Sequence, residues 1–208
     1  MKGCFITFEG VEGSGKSTQI NLLADKLRET GKEVVLTREP GGTNLGQKIR
    51  KLLLDPDNID MDNRAEILLY AADRAQHVKK KIIPALNEGK IVLTDRYIDS
   101  NIAYQGYGRK LEMDMVRNVN EWVIRDVWPD LTILLDIDAQ KGLERARNLS
   151  PDKKGDRLEQ EIITFYENIR EGYLKIAKKE KRFVVVDGNQ KPKDIHNKIF
   201  KIIKERLL

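Results

Sequence analysis

Five short runs of mostly apolar, β-branched residues recur along the chain: "CFITFE" (4–9), "EVVLTR" (33–38), "KIVLTD" (90–95), "LTILLDI" (131–137) and "RFVVVD" (182–187). Near-continuous apolar character is that of strands covered on both faces. Between the runs, apolar residues return at helical spacing in Ile20, Leu23 and Leu27, in Leu111, Met115, Val119 and Trp122, and in Ile195, Ile199, Ile202 and Ile203. Each stripe predicts a helix packed on a sheet. Strands alternating with helices in this way predict an α/β fold with a five-stranded parallel sheet flanked by helices.

Punctuation sharpens the pattern. Gly31 ends the first helix, a further helix starts near Asp62, and Pro84 bends or shortens it. Pro151 and Gly155 interrupt the polar stretch "NLSPDKKGD" (148–156), which is predicted to be a mobile loop.

Composition adds limits. A chain of 208 residues with 40% hydrophobic content suits one compact domain over residues 1–208. The single cysteine, Cys4, excludes an intrachain disulfide and predicts a small buried residue in a reducing, cytoplasmic setting. No apolar stretch approaches the roughly 20 residues of a membrane helix, and no secretory signal precedes the first strand. The net charge of +5 is spread over interspersed signs, a solvated surface that suits an anionic small molecule better than nucleic acid.

Candidate chemistry begins at "FEGVEGSGKST" (8–18), where Gly10, Gly15, Lys16 and Ser17 follow G-x-x-x-x-G-K-[ST] directly after a strand and before a helix. Glycines let backbone N–H groups turn around a phosphate, and the helix that follows points its positive end at the same charge. Gly10, Val11, Glu12, Gly13, Ser14, Gly15, Lys16, Ser17 and Thr18 therefore form the expected ATP-binding loop. Lys16 is expected on the β- and γ-phosphates, and Ser17 as a Mg²⁺ ligand. A GTPase is disfavoured because the nearest base-reading motif, Asn197-Lys198-Ile199-Phe200, lacks its acid.

Two more strand ends carry polar residues. Arg38 and Glu39 end the second strand, ahead of Pro40-Gly41-Gly42, where open α/β sheets place ligand contacts. Asp95 and Arg96 end the third, followed by Ser100, Asn101, Tyr104 and Gln105. An Asp there is placed to hold Mg²⁺ through water, and an Arg to balance phosphate charge. Tyr70 and Arg74, at i and i+4, share one helical face and could stack a base and hold a phosphate.

On "FEGVEGSGKST", "TREPGG", "AADRAQ", "DRYIDSNIAYQGYGR" and "DRLEQE", the chain resembles the thymidylate kinases over essentially its whole length. The resemblance implies the P-loop nucleoside monophosphate kinase fold with a small lid at about 148–157, and direct in-line transfer of phosphate from ATP to dTMP. It implies that Arg74 and Arg96 grip the dTMP phosphate, that Arg38 lies near the transferred group, and that Tyr70 stacks on thymine. Ser100, Asn101 and Gln105 match positions lining the thymine pocket, Tyr104 one that disfavours a 2′-hydroxyl, and Arg50 a further base-side contact. Glu12 matches a contact to the 3′-hydroxyl or a Mg²⁺-bound water, and Glu39 is a second acid beside the phosphates, in a Glu39–Pro40 bond that is cis at the matching turn of some relatives. With no arginine among Val11, Glu12, Gly13 and Ser14, a lid-arginine, bacterial-like type is implied. Arg157 is the first candidate for that arginine and Arg147 the second. A homodimer is implied by the resemblance alone. The rival readings are another nucleoside monophosphate or deoxynucleoside kinase, and a silent nucleotide-binding protein.

Overall fold

All five apolar runs form strands of one parallel sheet, ordered β2-β3-β1-β4-β5. The strands are β1 (Cys4–Glu9), β2 (Val34–Arg38), β3 (Ile91–Asp95), β4 (Leu131–Asp136) and β5 (Phe183–Asp187). The structure is a computed structural model and describes residues 3–149 and 156–207. Most of the expected lid segment, residues 150–155, lies outside the described residues.

Among the described residues the α-helices are α1 (Lys16–Glu29), α2 (Asn44–Leu54), α3 (Asn63–His77), α4 (Ile83–Asn87), α5 (Ile98–Asn101), α6 (Met113–Ile124), α7 (Ala139–Leu149), α8 (Ile163–Lys179) and α9 (Pro192–Arg206). α1 stops where expected: the N–H of Gly31, at φ 79°, reaches back to the Arg28 carbonyl. The Asp62 side chain accepts from Arg64 N at the start of α3. Pro84 lacks an N–H, and the turn before it, Val78–Ile82, widens to a π-helix before α4 resumes.

One large core is made as the periodicity predicts. Ile20, Leu23 and Leu27 of α1 and Ile195, Ile199 and Ile203 of α9 pack with Ile6, Phe8, Leu93, Ile133 and Leu135 of the sheet. Three expectations need correction. Full burial on both faces holds for the inner strands, but β2 and β5 are edge strands and stay partly open. Cys4 is half-buried, on the rim of the core. The stripe Leu111, Met115, Val119 and Trp122 is not a core face: α6 buries Val116, Asn120 and Ile124, one position round, because it packs on α3 and the 102–108 turn. Trp122 is 81% exposed.

The parallel register places function. Phe8 pairs with Asp95 and Asp95 with Arg38, so the ends of β1, β2 and β3 open on one edge. Glu9, Glu39 and Arg96 leave the sheet there side by side.

Candidate active site

A cavity of about 820 Å³ opens above that edge. Its wall carries Lys16, Ser17 and Thr18, then Arg38, Glu39 and Arg50, then Tyr70 and Arg74 of α3. Asp95, Arg96, Ser100, Asn101, Tyr104 and Gln105 also line it. Nearly all the residues predicted from sequence therefore share one cleft.

The phosphate loop is shaped by backbone that only glycine accepts easily. Gly10, Gly13 and Gly15 have φ of 139°, 66° and 93°. A Cβ on Gly13 would collide with the Gly142 carbonyl of α7. Lys16 Nζ donates to the carbonyls of Gly10 (3.0 Å) and Val11 (2.9 Å), so the ammonium sits inside the loop. Burial, followed by the charge of Arg96, pushes its pKa down to about 8. Ser17 Oγ donates to Asp95 Oδ2 at 2.9 Å, joining the expected metal-binding pair. These two oxygens are the hard donors a magnesium ion prefers, in too small a number to hold it without phosphate and water. No cluster of three His, Cys, Asp or Glu able to hold a metal occurs among the described residues.

Arg96 links the loop to the opposite wall. It is one of three non-glycine residues with positive φ among the described residues, at 69°, and its N–H donates to the Phe8 carbonyl. Its guanidinium donates to Gly10 O (3.1 Å), Glu12 Oε1 (2.9 Å) and Tyr173 OH (3.2 Å), and lies 4.8 Å from the centre of the Tyr104 ring. Tyr104 OH donates to Glu12 at 2.7 Å, so Glu12 is held between Arg96 and Tyr104.

Below this layer lies the buried Glu9, which accepts from Tyr97 N (2.8 Å), Ser100 Oγ (2.6 Å) and Tyr173 OH (2.8 Å). Burial, then the nearby Asp99, raises its pKa to about 7. Ser100 is thus committed downward to Glu9.

The second buried layer sits under the cis Glu39–Pro40 bond. Arg74 donates from Nε to Glu39 (2.7 Å), from one terminal nitrogen to Asn120 Oδ1 (2.6 Å) and from the other to the Tyr97 carbonyl (3.0 Å). The His77 ring bonds Glu39 on one side and Thr37 on the other, at 2.7 and 2.6 Å. Arg74, expected to grip a phosphate, is 1% exposed and touches the cleft from within this network.

The two expected lid arginines do not line the cleft. Arg157 is 2% exposed and donates to Leu53 O (2.7 Å) and Glu66 (2.5 Å), while Arg147 donates to the Glu159 carbonyl. Arg145, two residues earlier on α7 and beside Gly13, is the arginine of this region that lines the cleft among the described residues. Arg38 is exposed at the mouth, and Arg50 donates to the Pro40 carbonyl at 3.1 Å. Sequence reasoning passed over Glu9, Glu66, His77, Asn120 and Tyr173. For Glu66 a signal existed, since residues 66, 70 and 74 stand four apart on one helical face.

A P-loop beside a wall of acids, arginines and two tyrosines, on this sheet order, is the arrangement of a nucleoside monophosphate kinase of the P-loop class. The thymidylate kinase family profile matches residues 8–199. The thymidylate kinase of Halothermothrix orenii is 58% identical over the whole of both chains. That of Finegoldia magna is 47% identical, covering 97% of this chain and 98% of its own. The crystal structure of thymidylate kinase from Ehrlichia chaffeensis superposes with a TM-score of 0.80 at 37% identity, covering 98% of this chain and all of that one. The chain belongs to the thymidylate kinase family.

Proposed function

We infer that the protein phosphorylates dTMP to dTDP with ATP, by direct in-line transfer and without a covalent enzyme intermediate. Family membership over the full chain is the observation that carries this reading. The acceptor phosphate is already largely ionised near neutral pH, so the reaction asks for positioning and charge rather than a strong base.

In this reading the loop Gly10–Thr18 binds ATP. Lys16 neutralises its terminal phosphates and regains its full charge when they arrive. Ser17 and Asp95 hold a divalent ion, Mg²⁺, which when bound spreads the charge of the donor phosphates. Arg96 bridges donor and acceptor, with Glu12 fixing its direction. Tyr70 supplies the stacking face for the base, Tyr104 borders the sugar, and Arg38 and Arg50 carry positive charge to the mouth. Arg74 serves from below by aligning Glu39. Arg145 is the lid-side cation placed for the donor side; Arg147 and Arg157 would first have to leave Glu159 and Glu66.

A phosphoryl-transfer assay with MgATP and dTMP, dUMP, dCMP, AMP and dGMP tests the reading. dTMP should rank first and dUMP second, since one methyl is worth only about 1–3 kcal/mol. Preference for a purine would overturn the acceptor assignment, and no transfer with ATP still bound would favour the silent binder.

The single domain acts on small nucleotides in the cytoplasm and works as a homodimer. Exposed Leu45, Leu52, Leu68 and Trp122, on helices that pack in the order α2, α3, α6, support the dimer. Sedimentation at micromolar concentration should give twice the chain mass, and a monomer would refute it.

A further inference from the structure

We propose that Glu66 is a specificity-determining positioning residue: it fixes the side-chain amide of Gln105 so that the acceptor pocket receives an imide edge and rejects an amidine edge. The inference rests on the pyrimidine-acceptor reading above and deepens it.

Glu66 is fully buried on α3. Its carboxylate takes Arg109 through Nε and a terminal nitrogen, both at 3.1 Å, and Arg157 at 2.5 Å. Burial alone would raise its pKa, but the hydrogen bonds and charge of Arg109, with help from Gln105 and Arg157, bring it below the ordinary carboxylate value. An ionised carboxylate only accepts hydrogen bonds. Gln105 lies 2.9 Å away and must therefore turn its NH₂ end to Glu66. The two ends of an amide are otherwise interchangeable in shape, and here chemistry removes the ambiguity.

With its nitrogen spoken for, Gln105 keeps its carbonyl oxygen for the cleft it lines. Asn101 lines the same cleft, is 1% exposed, and its Nδ2 has no hydrogen-bond partner among the described residues. A buried donor without a partner is costly until a ligand carbonyl satisfies it. The floor thus offers one acceptor beside one donor. Thymine and uracil present N3–H and a carbonyl, which match both. Cytosine presents a bare N3 and an amino group, so like meets like at each position.

Arg109 and Arg157 keep Glu66 ionised and in place, and through it Arg157 is tied to the base pocket. Glu66→Gln tests the device, because an amide at 66 can accept or donate and no longer dictates the orientation of Gln105. Steady-state kinetics with dTMP and dCMP should show kcat/KM for dTMP falling by one to two orders of magnitude, about the worth of hydrogen bonds misplaced in a built site. The value for dCMP should stay within about threefold, narrowing the dTMP/dCMP ratio at least tenfold. In a Gln105→Ala background the same change should leave the ratio unaltered. An equal loss for both acceptors, or an unchanged ratio, would overturn the proposal while leaving the kinase reading intact. Failure of the unaltered enzyme to use dTMP would instead overturn that reading. If Glu66→Gln does not fold, nitrogen NMR of the unaltered enzyme decides: one Gln105 Nε2 proton should exchange slowly with solvent, free and with dTMP bound. Rapid exchange of both protons would contradict the proposal.

Discussion

In the proposed reading the donor side of the cleft rests mainly on residues 10–18, with Asp95 and Arg145 beside them, whereas the acceptor side gathers Glu39, Tyr70, Arg74, Arg96, Asn101 and Gln105 from the ends of β2 and β3, from α3 and from the 98–108 segment. The donor loop is a backbone structure, set by glycine torsions and a helix start, with a single lysine folded into it. The acceptor wall is a side-chain structure, propped from behind by buried acids that each hold two or three partners: Glu9 with Tyr97, Ser100 and Tyr173, Glu39 with Arg74 and His77, Glu66 with Gln105, Arg109 and Arg157. A backbone cradle binds any suitable polyphosphate. A propped wall can be selective, because moving one prop misplaces a polar group that the ligand needs.

The largest expected difference between the two sides is in stability. Arg74→Ala would leave Glu39 buried and short of its cation, and loss of one partner of a buried pair costs about 3–5 kcal/mol. Urea denaturation should show that loss. A loss below about 1 kcal/mol, the range of a surface pair, would mean that Glu39 is not propped as described.

The donor side should instead respond to pH through Lys16. Its pKa of about 8 in the free protein means that the ammonium loses its charge as pH passes 8, while bound phosphate favours the charged form. ATP affinity measured by calorimetry should therefore weaken by up to about tenfold between pH 7 and pH 9. Affinity that strengthens with pH would contradict the position of the lysine within the loop.

A smaller effect is expected from Glu9. Its pKa is raised from 4.5 to about 7 on folding, so the native state binds its proton more tightly than the unfolded chain. The stability linked to that proton is full below pH 4.5 and is lost as pH rises through 7. Glu9→Gln removes this slope, so its stability relative to the unaltered protein should rise between pH 5 and pH 8. A relative stability that stays flat over that interval would show Glu9 ionised throughout.

Legibility in the sequence follows the same division. The strands, their alternation with helices and the phosphate loop depend on local periods and on glycine spacing, so residues 4–18 nearly describe themselves. The positions of Tyr70, Asp95, Arg96 and Gln105 on the cleft wall were equally legible, from strand ends and a family resemblance. What α6 buries was not: Trp122 and Val116 both suit a stripe of helical spacing, and only the position of α3 decides between them. Nor were the partners of the arginines. Arg157 and Arg145 flank the same polar stretch and carry the same group, yet one is locked to Glu66, 91 residues away, and the other lines the cleft. Pairings over such separations leave no local pattern.

Binding of each substrate, measured separately by calorimetry for Lys16→Ala, Tyr70→Ala and Arg96→Ala, tests most directly whether the cleft is two sites joined by one bridge. Lys16→Ala should weaken ATP binding, lower turnover on the order of 10²-fold or more, and leave dTMP affinity within about twofold. Tyr70→Ala should do the reverse, weakening dTMP by roughly tenfold, the lower end of what one stacked base is worth, with ATP unchanged. Arg96→Ala should weaken both, since it holds Glu12 and the Gly10 carbonyl on one side and stands against Tyr104 on the other. Loss of both affinities in all three variants, or of neither in Arg96→Ala, would contradict the account.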